Sequence, residues 1–502
     1  MKDGATFIDL SLVSHTNAGK TTLARTLLGH DVGEVRDEPH VTAVAEPHVM
    51  IEDAGGDVLR LWDTPGFGDS VRLAKRLRQQ GNPIGWFLTE VWDRWRDRPL
   101  WSSQQAIRNV RETADIVLYL VNAAEDPQDA GYVAPEMQIL EWIGKPVLAL
   151  LNQIGEPRTS AEEAAEQARW RTQLGRHGFV RGILTLDAFA RCWVQEVALL
   201  RAVGSVLPES KRHACSRLER AWQARRMEAF EASMAALAEQ LARAACDRET
   251  LEDDGIGSTL REVGKAIGLG DDGQTGPKAR AMKGLAERLD AETRRSTDQL
   301  IEIHRLGGRA AAEVLARLAG DFAVDERVSE GKAAMLGGLV SGALSGLAAD
   351  LASGGLTFGA GLLTGGLLGA LGAAGLAKGY NVMRGADETN VRWSDAFLDG
   401  LFASALLRYL AVAHYGRGRG EWQRSEYPSF WKDEVGTVVE SHRAALAAIW
   451  SERAGTCEPA QIAEALTAEL RAATLALFER LYPGALSTEA AADSVAPAAA
   501  VT

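Results

Sequence analysis

The chain predicts two unlike parts: an α/β N-terminal domain with a mostly parallel sheet, followed by a mainly α-helical C-terminal region. Three observations carry this. Apolar strand patterns alternate with helical stretches over residues 5 to 187, as in chained βα units. The first strand, Phe7-Ile8-Asp9-Leu10-Ser11-Leu12-Val13, runs directly into Ser14–Thr22, reading SHTNAGKTT, a loop that opens a helix. From about Pro208 the pattern turns helical: Cys215, Leu218, Trp222, Phe230, Met234, Leu237 and Leu241 recur at spacings of three, four or eight, with charged residues between.

At 502 residues the chain is too long for one core, and two to four domains are expected. A net charge of −13 argues against a general nucleic-acid coat, although a local basic patch is compatible with it. The four cysteines, Cys192, Cys215, Cys246 and Cys457, show no metal or redox spacing and read as thiols of a reducing compartment. The chain begins with a short polar lead into a strand and shows no secretory signal, so a cytoplasmic location is expected.

SHTNAGKTT departs at one position, Ser14, from the phosphate-loop pattern G-x-x-x-x-G-K-[ST]. In such a loop, successive backbone N–H groups turn inward and cradle phosphate oxygens. The following helix adds its unpaired amides and the positive end of its dipole. Lys20 is placed to reach β- and γ-phosphates, and the Thr21 hydroxyl to ligate Mg²⁺. Ser14 is small enough for the turn but tolerates positive φ less well than Gly. The candidate nucleotide-binding residues here are Ser14, His15, Thr16, Asn17, Ala18, Gly19, Lys20, Thr21 and Thr22. His15 reads as a solvated loop residue rather than a catalytic base.

The second motif is Asp63-Thr64-Pro65-Gly66, at the end of the strand pattern Val58-Leu59-Arg60-Leu61-Trp62. A strand-end Asp holds Mg²⁺ directly or through water. The Gly66 N–H is placed for a γ-phosphate, which makes the next loop a nucleotide-state switch. A plain β-turn would use the same four residues; the position after a strand favours the functional reading.

NAGKTT together with DTPGFGD resembles the GTPases of the translation-factor-related (TRAFAC) class. It is most similar to the branch holding the ribosome-assembly and tRNA-modification GTPases, over roughly residues 5 to 205. The resemblance implies a P-loop domain that binds GTP and GDP with Mg²⁺ held by Thr21, Asp63 and a switch threonine, for which Thr42 is the match. It implies that Asn17, three residues before Lys20, helps bind K⁺ beside the phosphates in place of an arginine finger. Phe67 matches the hydrophobic residue that follows DTPG in this branch, so no water-orienting Gln stands there. Lys20, Asn17, Thr42 and Gly66 are thus the residues expected to carry catalysis.

Base recognition matches less fully. The family places N-K-x-D after a buried strand; here Pro146-Val147-Leu148-Ala149-Leu150-Leu151 is followed by Asn152-Gln153-Ile154-Gly155. Asn152 matches, Gln153 stands for the Lys, and Gly155 for the Asp. Either Glu156 supplies the carboxylate from a shifted loop, or guanine selectivity is weaker. Ile183-Leu184-Thr185-Leu186-Asp187-Ala188 sits where the family has its last base-contacting loop, with a poor match.

The domain plan is therefore a GTPase domain at 1–205 with a Trp-rich insert at about 70–112, helical regions at 206–330 and 381–485, a Gly-rich apolar hairpin at 331–380, and a disordered tail at 486–502. In the insert, Trp86, Trp92, Trp95 and Trp101 interleave with Arg94, Arg96 and Arg98. They read either as aromatics packed on the domain or as a partner-docking surface. GLGDDGQTG, Gly268–Gly276, marks a break.

Residues 333 to 377 hold 13 Gly and one charge, Asp350. Gly338, Gly342 and Gly346 repeat every four residues, as do Gly361, Gly365 and Gly369, a glycine-zipper spacing that lets two helices approach closely. Two readings stand: a hairpin inserted from the cytoplasmic side of the inner membrane, or a pair buried in the C-terminal part. The C-terminal half otherwise resembles only bacterial proteins that join such a GTPase to a region of unknown function. Two function classes follow. One is a GTPase switch of low intrinsic rate, activated by K⁺, G-domain dimerisation, or an effector protein or ribonucleoprotein. The other is a nucleotide-dependent membrane or assembly scaffold with little hydrolysis.

Overall fold

The computed structural model describes residues 5–15, 18–29, 45–67, 69–78, 83–89, 98–152, 159–186, 192–250, 277–306, 380–384, 389–415, 429–454 and 457–485. Thr16, Asn17, Thr42, Trp92, Trp95, Gln153, Gly155, Glu156, the 268–276 break, the 333–377 segment and the 486–502 tail lie outside them. Two compact units divide the chain: Met1–Glu228 with Ala413–Pro428 and Phe478–Thr502, and Ala229–Val412 with Ser429–Leu477.

The first unit holds a six-stranded sheet. In chain order its strands are β1 (Phe7–Ser14), β2 (Glu46–Glu52), β3 (Val58–Asp63), β4 (Ile116–Asn122), β5 (Val147–Asn152) and β6 (Val180–Thr185). Their spatial order is β2-β3-β1-β4-β5-β6. All pairs are parallel except β2–β3 at the edge. The near-continuous apolar runs of β4 and β5 follow from burial on both faces. β2 escaped the sequence reading because Glu46, Pro47 and His48 break its apolar pattern.

Helices cover the sheet: α1 (Lys20–Leu28), α2 (Ser70–Leu77), α3 (Pro83–Thr89), α4 (Arg98–Glu112), α5 (Val133–Ile143) and α6 (Ser160–Leu174). Asp69 caps α2 by accepting from the Arg72 amide, and Thr159 with Glu162 forms a capping box on α6. The segment expected as an insert at 70–112 supplies α2, α3 and α4. Its Ile84, Phe87, Leu100, Ile107 and Val110 are buried in one cluster with Val117, Tyr119 and Met137. These apolar residues pack on the domain; Trp92, Trp95 and the Trp86 side chain, on which the two readings of the insert turn, lie outside the described residues. α7 (Trp193–Val206) and α8 (Glu209–Cys246) follow, and the seven apolar residues singled out on α8 are all buried.

The second unit is mainly helical: the later part of α8, α9 (Pro277–Ile303), α10 (Asp395–Ala413), α11 (Ser429–Ser441), α12 (Arg443–Ser451) and α13 (Pro459–Leu481). The region expected to be helical from 381 opens instead on strands. β7 (Arg248–Thr250), β8 (Tyr380–Arg384) and β9 (Thr389–Trp393) form an antiparallel sheet in the order β7-β9-β8. Strands of three to five residues are too short to show a period of their own. Arg453 lies in this unit and donates to the carbonyls of Ala245, Trp393 and Trp450 while pairing with Asp395.

The cysteine reading needs correction. Cys246 and Cys457 form a disulfide with Cα atoms 5.5 Å apart, and only Cys192 and Cys215 are free thiols, both buried. A separation of 211 residues hid the pair from any spacing argument. α10 is long and apolar enough to cross a bilayer, but 83% of that stretch is buried inside the protein.

Candidate nucleotide-binding site

Parallel order reverses at β1, which has β3 on one side and β4 on the other. In such sheets the crevice beyond the carboxyl ends at the reversal receives ligands. Ser14 ends β1, Asp63 ends β3 and Asn152 ends β5, so the candidate residues meet at one edge.

Gly19 leads into α1 with φ 86°, a left-handed backbone that glycine adopts without strain. No acidic residue occupies the first turn of α1, so its positive end is left for an anion. Lys20 is 8% exposed and donates from Nζ to Ser14 Oγ at 2.9 Å. The residue that replaces the first loop glycine thus holds the lysine. Burial pushes the Lys20 ammonium below its usual pKa, while the charges of Asp63 and Glu136 pull it back.

Thr21 Oγ1 donates to Asp63 Oδ2 at 2.6 Å. Asp63 is 2% exposed. Burial raises its pKa, against the Thr21 hydrogen bond and the nearby Lys20 and His48. A hydroxyl and a carboxylate brought together from two elements form a hard-oxygen donor pair, which suits Mg²⁺. Among the described residues no three His, Cys, Asp or Glu side chains cluster for a metal. A metal held by this pair would have to complete its ligands from phosphate and water, as Mg²⁺ commonly does.

The DTPG segment is fixed to the loop. Thr64 Oγ1 donates to the Leu12 carbonyl, and the Phe67 amide to the Ser14 carbonyl at 3.0 Å. Thr64, Pro65, Gly66 and Phe67 are all buried. Asn152 donates through Nδ2 to the Ala18 carbonyl at 2.8 Å, so the residue expected at the base ties β5 to the phosphate loop. Ala18 and Thr22 are buried at the same place, and Thr21 is half-buried.

These observations meet the family comparisons. Residues 171–480, more than half of the chain, match the family described as Domain of unknown function (DUF3482). The chain belongs to that family. Residues 9–153 match MMR_HSR1, described as 50S ribosome-binding GTPase, so this DUF3482 protein carries a GTPase domain ahead of its helical region. It is similar to a variant of Era from Aquifex aeolicus bound to GDP·AlF4⁻, at 16% identity over 57% of this chain and 88% of that chain, TM-score 0.31. Era in complex with MgGDPNP and a piece of 16S ribosomal RNA gives 16% identity over 58% and 88%, TM-score 0.31. The mGMPPNP-bound NFeoB from S. thermophilus gives 16% over 58% and 97%, TM-score 0.22. No curated protein matches the chain.

One group of the DUF3482 protein escaped sequence reasoning. His15 Nδ1 lies 3.0 Å from Glu136 Oε1 on α5, and the ring stacks on Tyr132 at 4.5 Å. The other Glu136 oxygen accepts from Tyr119 Oη on β4 at 2.7 Å. Glu136 is fully buried, and burial raises its pKa against the pull of His15, Tyr119 and Lys20. The available signal was an acid on the buried stripe of α5, beside Val133, Met137 and Leu140.

Proposed function

We propose that the protein binds GTP with Mg²⁺ and hydrolyses it to GDP and phosphate, acting as a nucleotide-dependent switch of low intrinsic rate. The observation that carries this is the meeting of Thr21 and Asp63 at 2.6 Å beside the buried Lys20. Thr21 and Asp63 would hold Mg²⁺, which when bound neutralises charge on the β- and γ-phosphate oxygens. Lys20 leaves the Ser14 hydroxyl for those phosphates. The loop after Gly66 reads the γ-phosphate and passes its state to α2.

Titration calorimetry with GTP and with ATP, each with and without Mg²⁺, tests the reading. GTP is expected to bind more tightly than ATP, and only with the metal. Without a carboxylate at Gly155, one charged hydrogen bond worth about 1.5–3 kcal/mol is missing, so the preference narrows by roughly one to two decades. ATP binding as tightly as GTP would overturn the guanine assignment.

Turnover is expected to be faster in K⁺ than in Na⁺. Asn17 precedes Lys20 by three residues, and Phe67 stands where a water-orienting Gln would be. Rates in matched potassium and sodium buffers, with Asn17→Ala alongside, check this. Equal rates in both salts, unmoved by the substitution, exclude K⁺ activation.

A further inference from the structure

Glu136 sits where a helix normally places an apolar residue. Val133, Met137 and Leu140 line the inner face of α5, and Glu136 shares that face with 0% exposure. A carboxylate there is costly unless both oxygens are bonded. Both are, one to His15 Nδ1 and one to Tyr119 Oη. Tyr132, the residue before α5, adds a second grip, its ring plane tilted only 18° from the His15 imidazole. The Lys20 charge also acts on this carboxylate.

His15 is the second residue of the phosphate loop. On its other flank the loop is held by backbone, through the Phe67 amide on the Ser14 carbonyl and the bridge between His15 and Phe67. The start of the loop is therefore fixed twice: by backbone to the DTPG segment and by side chain to α5. A loop already in place when phosphate arrives avoids the entropy of ordering, and that saving appears as affinity.

We propose that Glu136 is a positioning residue which, through the His15 imidazole, holds the start of the phosphate loop in its ligand-ready form. This rests on the nucleotide-site reading above. Glu136 touches no ligand; its hydrogen bonds, not its charge, do the holding.

Two readouts test it on the full chain: hydrogen–deuterium exchange at the Phe67 amide without nucleotide, and binding of fluorescent mant-GTP with Mg²⁺. Glu136→Leu and His15→Ala should each speed exchange at Phe67 by about fivefold as the local opening becomes easier. Each should weaken mant-GTP by about tenfold, equivalent to about 1.4 kcal/mol. Glu136→Gln keeps one acceptor and gains a donor for His15, so it should stay close to wild type, whereas a role in packing alone would leave Glu136→Leu, similar in volume, equally close. The pair His15→Ala/Glu136→Leu should be no worse than the worse single change, because both break one contact.

Additive losses, unchanged exchange, or Gln behaving like Leu would overturn the proposal. His15→Ala alters a partly exposed loop residue, so the test stays readable if Glu136→Leu does not fold. If wild type binds neither GTP nor ATP, the nucleotide reading fails, while the exchange measurements still decide whether the clamp exists.

Discussion

Lys20→Ala is expected to abolish triphosphate binding. The Lys20 Nζ is buried beside Ser14 Oγ, at the start of a helix with no acidic residue in its first turn. Among the described loop residues there is no other lysine or arginine to replace it. The charge-assisted bonds it would make to β- and γ-phosphate are worth about 1.5–3 kcal/mol each, so losing two of them would weaken binding by at least about a hundredfold. The fold should survive. Burial holds the Lys20 pKa below its unfolded value, so below that folded pKa the charged form costs the native state stability. Removing the ammonium relieves that cost. Calorimetry with GTP and Mg²⁺, alongside a thermal melt, checks both halves. Wild-type affinity in a folded Lys20→Ala protein would sink the site.

Much of this site was legible because its parts are local. Strand, loop and helix from Phe7 to Thr22 read off one stretch of sequence, and Asp63 follows its own strand. The α8 stripe was legible for the same reason, since its apolar spacing from Cys215 to Leu241 lies within one helix of 38 residues. What failed to show depends on pairs far apart in the chain. Glu136 meets His15 across 121 positions, and nothing near it in sequence marks it as other than a misplaced acid. Cys246 and Cys457 meet across 211, once helix packing brings them together. β7 and β9 pair over only three residues, so register with a distant partner, not their own pattern, makes them strands. Asn152 was legible as a strand-end residue, but its bond to Ala18 was not, because the same amide suits a base or a carbonyl.

In the second unit, Arg408→Ala is expected to be strongly destabilising and Arg408→Met nearly neutral. Arg408 lies on α10 with 0% exposure. Its Nη1 donates to Ser296 Oγ at 2.8 Å, Thr297 Oγ1 at 3.1 Å and the Thr293 carbonyl at 3.3 Å, and its Nη2 to Gln240 Oε1. Among the described residues no carboxylate pairs with it, and burial alone lowers its pKa from 12.5 to about 10. A base depressed in the folded state destabilises it at every pH below that folded value, and the cost is relieved only as pH climbs from about 10 toward 12.5. The charge is thus a burden at neutral pH. The neighbouring hydroxyls also keep partners without it: Ser296 and Thr297 donate to the Thr293 carbonyl, and Gln240 Nε2 to Thr293 Oγ1. What alanine removes is therefore mainly volume, and a large-to-small change in a closed core costs about 2–5 kcal/mol. Methionine refills most of the space with no charge to desolvate, and such replacements of buried ions are often neutral or stabilising, so a loss below about 1 kcal/mol is expected. Guanidinium unfolding followed by circular dichroism ranks the three proteins. If methionine proves as damaging as alanine, the four hydrogen bonds hold this unit together and the packing argument is wrong.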